Sequence, residues 1–138
     1  MLVADDHPVV RGGLRAMLEP EPDLELVGEA DSADAAVRAA ERLRPDAVVM
    51  DVRMPGGGLH ATRRIVAARP RTGVLVLALD DDEPVVLAAL RAGARGFAAK
   101  SADPAEVLRA IRAAAVGDTV VTAAVTERLL AHAARAVS

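Results

Sequence analysis

The chain has no cysteine and a single aromatic residue, Phe97. The first absence excludes a disulfide framework and any thiolate metal site, and it suits a reducing cytoplasm. The second leaves Val, Leu, Ile, Met and Ala to pack the core. Neither sign of charge dominates: 17 Lys and Arg stand against 20 Asp and Glu, a net charge of −3. There is thus no basic footprint for nucleic acid or anionic lipid, and DNA contact by this segment alone is not expected. No apolar run approaches the ~18 residues of a membrane span, and Asp5 and Asp6 interrupt any signal-peptide pattern. The expected location is the cytoplasm, with no membrane partner.

What remains is a 138-residue chain, 52% apolar, long enough for one domain that buries roughly two-thirds of its unfolded surface. Short apolar runs alternate with helical patterns along it. Leu2-Val3-Ala4 reads as a strand, and Asp5-Asp6-His7-Pro8 turns it into a helix that buries Val10, Leu14, Met17 and Leu18. Leu24 to Ala30 alternates imperfectly and predicts a second strand with a more exposed side. Ser32 is positioned to cap a helix that buries Ala36, Val37, Ala40 and Leu43. Ala47 to Asp51 is apolar without alternation until its last residue, as in a strand covered on both faces. Three glycines, Gly56 to Gly58, then lead to a helix marked by Leu59, Thr62, Ile65 and Val66.

Val74 to Leu79 predicts a fourth strand, with the acids Asp80 to Glu83 at the start of the helix after it, where the macrodipole favours negative charge. That helix carries Val86, Ala89 and Leu90 and stops at Gly93. Gly96 to Ala99 is a fifth strand closed by Lys100, and Asp103-Pro104-Ala105-Glu106 opens a helix with an N-cap, a proline at N1 and an acid at N3. The regular alternation argues for a doubly wound α/β fold: a five-stranded parallel sheet with right-handed crossovers and helices on both faces. Past Gly117 the pattern breaks, and Thr122 is placed to cap an appended helix or begin a linker.

Chemistry-bearing residues gather at strand ends: Asp5 and Asp6 after strand one, Asp51 at the end of strand three, Lys100 after strand five. In open α/β sheets that edge is where ligands bind. If strands one and three are neighbours, three carboxylates converge and call for a cation. Mg²⁺ takes hard oxygen ligands, commonly one or two carboxylates plus phosphate oxygens. An aspartate is also a possible nucleophile toward phosphorus, with a lysine as point charge for the phosphoryl oxygens.

The runs Val3-Ala4-Asp5-Asp6-His7-Pro8, Met50-Asp51-Val52-Arg53-Met54-Pro55-Gly56, Ala89-Leu90-Arg91-Ala92-Gly93-Ala94 and Gly96-Phe97-Ala98-Ala99-Lys100 resemble the receiver domain of bacterial two-component response regulators. The nearest subgroup is the NarL/FixJ family, whose receivers precede a LuxR-type helix-turn-helix. The resemblance implies the flavodoxin-like strand order 2-1-3-4-5 and makes Asp51 the phosphoacceptor from a sensor histidine kinase. Asp6 becomes a direct Mg²⁺ ligand, Asp5 one through water, and Asp51 and the Arg53 backbone carbonyl complete the metal set, with Lys100 as phosphoryl partner. It further implies a homodimer, slow self-dephosphorylation rather than enzymatic turnover, a receiver over residues 1–116, and a connector over 117–138 toward a DNA-binding domain absent from this chain.

This chain departs from the family pattern at Ala78, where such receivers usually carry the Thr or Ser that relays phosphorylation; Phe97 stands at the family's second switch position. The turns after strands three and four also look one residue short. The competing reading is a degenerate receiver that acts as a phosphate-independent dimerisation or ligand-sensing module. A phosphatase with a strand-end aspartate nucleophile wants a second aspartate where this chain has Arg53, and a dinucleotide site wants G-x-G-x-x-G where it has Asp5-Asp6-His7-Pro8. His7 reads as a turn residue, and His60 and His132 as solvent-facing, since the three lack metal-ligand spacing.

Overall fold

The computed structural model describes residues 1–79, 83–118, 120, 121, 130, 131 and 134. In chain order the elements are β1 (Leu2–Ala4), α1 (Pro8–Leu18), β2 (Gly28–Ala30), α2 (Ala33–Leu43), β3 (Ala47–Asp51), α3 (Gly58–Ala68), β4 (Gly73–Ala78), α4 (Glu83–Arg91), β5 (Gly96–Ala99), α5 (Pro104–Ala115) and β6 (Val120–Val121). The first five strands pair in parallel in the order 2-1-3-4-5, as expected, and the short β6 pairs in parallel with β5 at the far edge. Among the described residues that pairing covers part of the β5 edge, whose open hydrogen-bonding groups would otherwise face solvent. The helix expected from Thr122 and the acids at 80–82 lie outside the described residues.

Local signals explain most of the boundaries. Ser32 caps α2 by accepting from the Ala35 N–H at 3.2 Å, and Asp103 caps α5 by accepting from the Ala105 N–H at 3.0 Å. Pro8 and Pro104 occupy first-turn positions, where a missing N–H costs nothing. One element is shorter than the sequence predicts: β2 forms over Gly28–Ala30 rather than from Leu24. Its partner β1 offers three residues, Leu2, Val3 and Ala4, in register with Gly28, Glu29 and Ala30. Of the earlier ones only Val27, whose N–H donates to the Met1 carbonyl at 2.8 Å, and Glu25, whose carbonyl accepts from the Met1 amino group, bond to the start of that strand. Leu24 and Leu26 instead pack as loop residues against the layer beneath α1 and α5.

Alternation along the strands divides the core into two layers. Val48, Met50, Val74, Val76, Ala78 and Phe97 pack with α2, α3 and α4 on one face. Val3, Val49, Leu75, Leu77 and Ala98 pack with α1 and α5 on the other. Phe97 is fully buried, so the chain's one phenyl ring is a core residue.

Candidate functional site

Asp5 follows β1, Asp51 is the last residue of β3 and Lys100 follows β5, so the doubly wound order brings all three to the C-terminal edge of the sheet. Asp5 and Asp51 are only 1% and 3% exposed. Between them lies the Lys100 ammonium, its Nζ 3.2 Å from Asp5 Oδ2 and 3.1 Å from Asp51 Oδ1. Burial is the largest single influence on Lys100 and pulls its pKa down, but the contacts with Asp51 and Asp5 together outweigh it and hold the pKa above the usual 10.5.

Backbone groups fix the carboxylates. Asp51 Oδ1 accepts from the Arg53 N–H at 3.3 Å, and Asp5 Oδ1 accepts from the His7 N–H at 2.8 Å. Asp5 is thus both a site acid and the acceptor for a donor at the start of α1, whose N-cap is His7. Arg11 fastens the same turn to the sheet edge: its Nη1 donates to the Asp5 carbonyl at 2.6 Å and its Nε lies 3.5 Å from Glu29 on β2.

Three carboxylate oxygens of the cluster, Asp5 Oδ2, Asp6 Oδ1 and Asp51 Oδ2, are buried and accept no hydrogen bond from the described residues. The first has the Lys100 ammonium at 3.2 Å and the second the His7 Nδ1 at 3.0 Å, close polar contacts without hydrogen-bond alignment. Leaving a buried charged acceptor unsatisfied is expensive, so the donor set fits a hard divalent cation that the single lysine does not replace.

The turn between β3 and α3 is tighter than a merely flexible glycine loop. A Cβ on Gly58 would fall 2.0 Å from the Asp51 carbonyl oxygen and 3.0 Å from the Val52 Cα. Gly56 and Gly57 both take φ of +87°, where a side chain is strained. The first two glycines thus supply the left-handed turn, while Gly58 permits the approach of α3 to the strand that carries Asp51.

The structure gathers Asp5, Asp6, Asp51 and Lys100 as the sequence predicts. Ala78 is the last residue of β4, buried, with its carbonyl accepting from the Lys100 N–H at 2.8 Å; it brings no hydroxyl to the site. His60 is exposed on α3, and His132 lies outside the described residues. His7 is the turn residue that the sequence predicts, the N-cap of α1; what the sequence reading missed is its ring, whose Nδ1 sits 3.2 Å from Asp5 Oδ1 and 3.0 Å from Asp6 Oδ1. Its place directly after two strand-end acids was the available signal. Arg11 and Gly58 were missed as well.

Comparison with known proteins gives a consistent picture. The sequence model of the response regulator receiver domain matches residues 1–112. Response regulator GacA of Pseudomonas viridiflava is 38% identical over 130 residues, covering 94% of this chain and 61% of that protein. The nitrate/nitrite response regulator protein NarL of Escherichia coli K12 is 33% identical over 132 residues, covering 95% and 61%. The chain thus spans about three-fifths of the length of these curated relatives. Among solved structures, a LuxR-family two-component response regulator from Aurantimonas sp. SI85-9A1 superposes with a TM-score of 0.90 at 35% identity, covering 96% of each chain.

Proposed function

This chain belongs to the response regulator receiver family, and from that premise we propose that it receives a phosphoryl group on Asp51 from a sensor histidine kinase, with Mg²⁺ as the metal, for a NarL/FixJ-type transcriptional regulator. The observation that carries this reading is the state of the Asp51 carboxylate. One oxygen is held by Lys100 and the Arg53 N–H, while the other is buried and uncommitted beside two further acids. In the transfer, an Asp51 oxygen forms a bond to phosphorus as the bond from phosphorus to the donor histidine nitrogen breaks, and the electron pair leaves with the imidazole. Mg²⁺ would be held by Asp5, Asp6, Asp51 and the Arg53 carbonyl, and it supplies neutralisation of charge on the phosphoryl oxygens. Lys100 already touches Asp51 and meets those oxygens as a point charge after a short displacement. The product is a phosphoprotein that hydrolyses slowly, without turnover of a substrate.

Residues 1–116 form the receiver in this reading, and 117–138 connect it to a helix-turn-helix domain that carries DNA binding. The regulator acts as a homodimer in the cytoplasm. Among the described residues, no helix is long and apolar enough to cross a membrane. Incubation with acetyl phosphate and Mg²⁺ is expected to add one phosphoryl mass to the parent and none to Asp51→Asn. An unlabelled parent, under conditions that label another receiver, would transfer support to a phosphate-independent dimerisation or ligand-sensing module.

The observation that favours this second reading is Ala78, which leaves the relay without a hydroxyl. A hydrogen bond to a charged group contributes roughly 1.5–3 kcal/mol. Ala78→Thr is therefore expected to strengthen phosphorylation-driven dimerisation about tenfold or more, measured as the dimer Kd with and without acetyl phosphate. Equal responses from the two proteins would show that position 78 does not relay the signal. Because Ala78 is buried, the larger side chain should also cost about 1 kcal/mol of stability.

A further inference from the structure

We propose that His7 is a nitrogen ligand of the acidic site and tilts it toward first-row divalent cations of the Fe²⁺, Co²⁺ and Ni²⁺ class relative to Mg²⁺. The proposal rests on the cation-site reading above and adds to it a residue and a selectivity. Asp5, Asp6, His7 and Asp51 each present one ligand atom within 4.8 Å of the others. The His7 Nδ1 lies 3.2 Å from Asp5 Oδ1 and 3.0 Å from Asp6 Oδ1. Two ligands sharing an edge of an octahedron with bonds of ~2.1 Å are ~3 Å apart, so this is the spacing of adjacent ligands on one ion.

A second observation is independent of that spacing. Asp51 is 3% exposed, and its Oδ2 is buried within the cluster with no hydrogen-bond partner among the described residues. An all-oxygen set suits Mg²⁺, which keeps much of its hydration, whereas an imidazole nitrogen adds most for the later ions of the row. The His7 side chain is 63% exposed, which leaves the outer side of the site open to water as the remaining ligands.

An imidazole N–H donating to the two carboxylates would produce the same distances without any nitrogen ligation, and the experiment has to separate the two. The backbone makes this possible. The His7 N–H to Asp5 Oδ1 bond at 2.8 Å is a main-chain contact, so His7→Ala removes the ring and keeps the turn. Calorimetric titration of the full chain with Co²⁺ and, separately, Mg²⁺ should show His7→Ala losing roughly tenfold or more in Co²⁺ affinity. Mg²⁺ affinity should stay within about twofold. The proton spectrum of the parent's Co²⁺ form should contain a strongly shifted exchangeable imidazole N–H resonance that His7→Ala lacks and His60→Ala keeps. Equal Co²⁺ affinities, or a shifted resonance that survives in His7→Ala, would overturn the role of His7 and leave the acidic site standing. Failure of both ions to bind would overturn the cation-site reading and this proposal together, and binding of Mg²⁺ without Co²⁺ would overturn this proposal alone.

Discussion

Gly58→Ala is expected to cost about 3 kcal/mol of stability or more and to lower the thermal midpoint by roughly 10–15 °C. The added Cβ would stand 2.0 Å from the Asp51 carbonyl oxygen, 2.9 Å from its carbon and 3.0 Å from the Val52 Cα. All three are main-chain atoms, so no rotamer change relieves the overlap. The helix side has little freedom either: the Gly58 N–H donates to the Val52 carbonyl at 3.1 Å, and Thr62 Oγ1 donates to the Gly58 carbonyl at 2.8 Å. Nor can the strand retreat alone, since β3 is paired on both sides, by β1 and β4. Relief requires α3 to move away from β3, which disturbs the backbone bearing the proposed phosphoacceptor, so slower labelling by acetyl phosphate should accompany the loss of stability. Gly12→Ala is the control. Gly12 lies inside α1 with nothing within 4 Å of an added Cβ, and the substitution should stabilise by up to about 1 kcal/mol. With no Trp or Tyr in the chain, circular dichroism melts are the suitable measurement. Similar midpoints for Gly58→Ala and the parent would mean that α3 and β3 are not this close.

The contrast between Gly58 and Gly12 marks where sequence reasoning stops. Three consecutive glycines announce a turn, but which one lies against the strand depends on how α3 returns to β3, a contact across the turn that no local pattern encodes. The strand ends are a different case. Asp51 ends an apolar run and Lys100 another, so both were readable as edge residues, and the alternation of strands with helices predicts a parallel sheet in which such edges coincide. The 3.1–3.2 Å contacts of Lys100 with two carboxylates follow only once β3 lies between β1 and β4. β2 shows the opposite failure. Its apolar residues were visible from Leu24 onward, but strand length is a property of a pair, and β1 supplies three residues. His7 reads as a turn residue and does stand at the N-cap of α1, while the three scattered histidines show no metal-ligand spacing. Asp51, which the fold brings within 4.8 Å of the His7 ring, comes from a distant strand, a proximity that spacing along the chain does not register.

Lys100→Met should destabilise the protein by about 2–4 kcal/mol in divalent-free buffer and by much less with Mg²⁺ present. Methionine replaces most of the aliphatic stem, and the Lys100 N–H to Ala78 carbonyl bond is a main-chain contact, so packing and strand ending are largely kept. What disappears is the ammonium beside Asp5 and Asp51, two carboxylates with side chains only 2% and 3% exposed, leaving their charge in a low-dielectric edge with Asp6 nearby. Breaking a buried pair by removing one partner costs more than the pair contributes, because the remaining charge stays desolvated. The raised pKa of Lys100 sets the pH window. A group whose folded pKa is raised stabilises fully below its unfolded value, so the parent's advantage should be constant at neutral pH and fade only as pH climbs through the folded value above 10.5. A divalent ion supplies the same sign of charge to the same oxygens, and stability gained by binding grows with ion concentration over Kd. A larger Mg²⁺-dependent gain in Lys100→Met than in the parent would therefore place ion and ammonium on one electrostatic site. An Mg²⁺-independent loss of stability would instead make Lys100 a packing residue and remove it from the proposed phosphoryl chemistry.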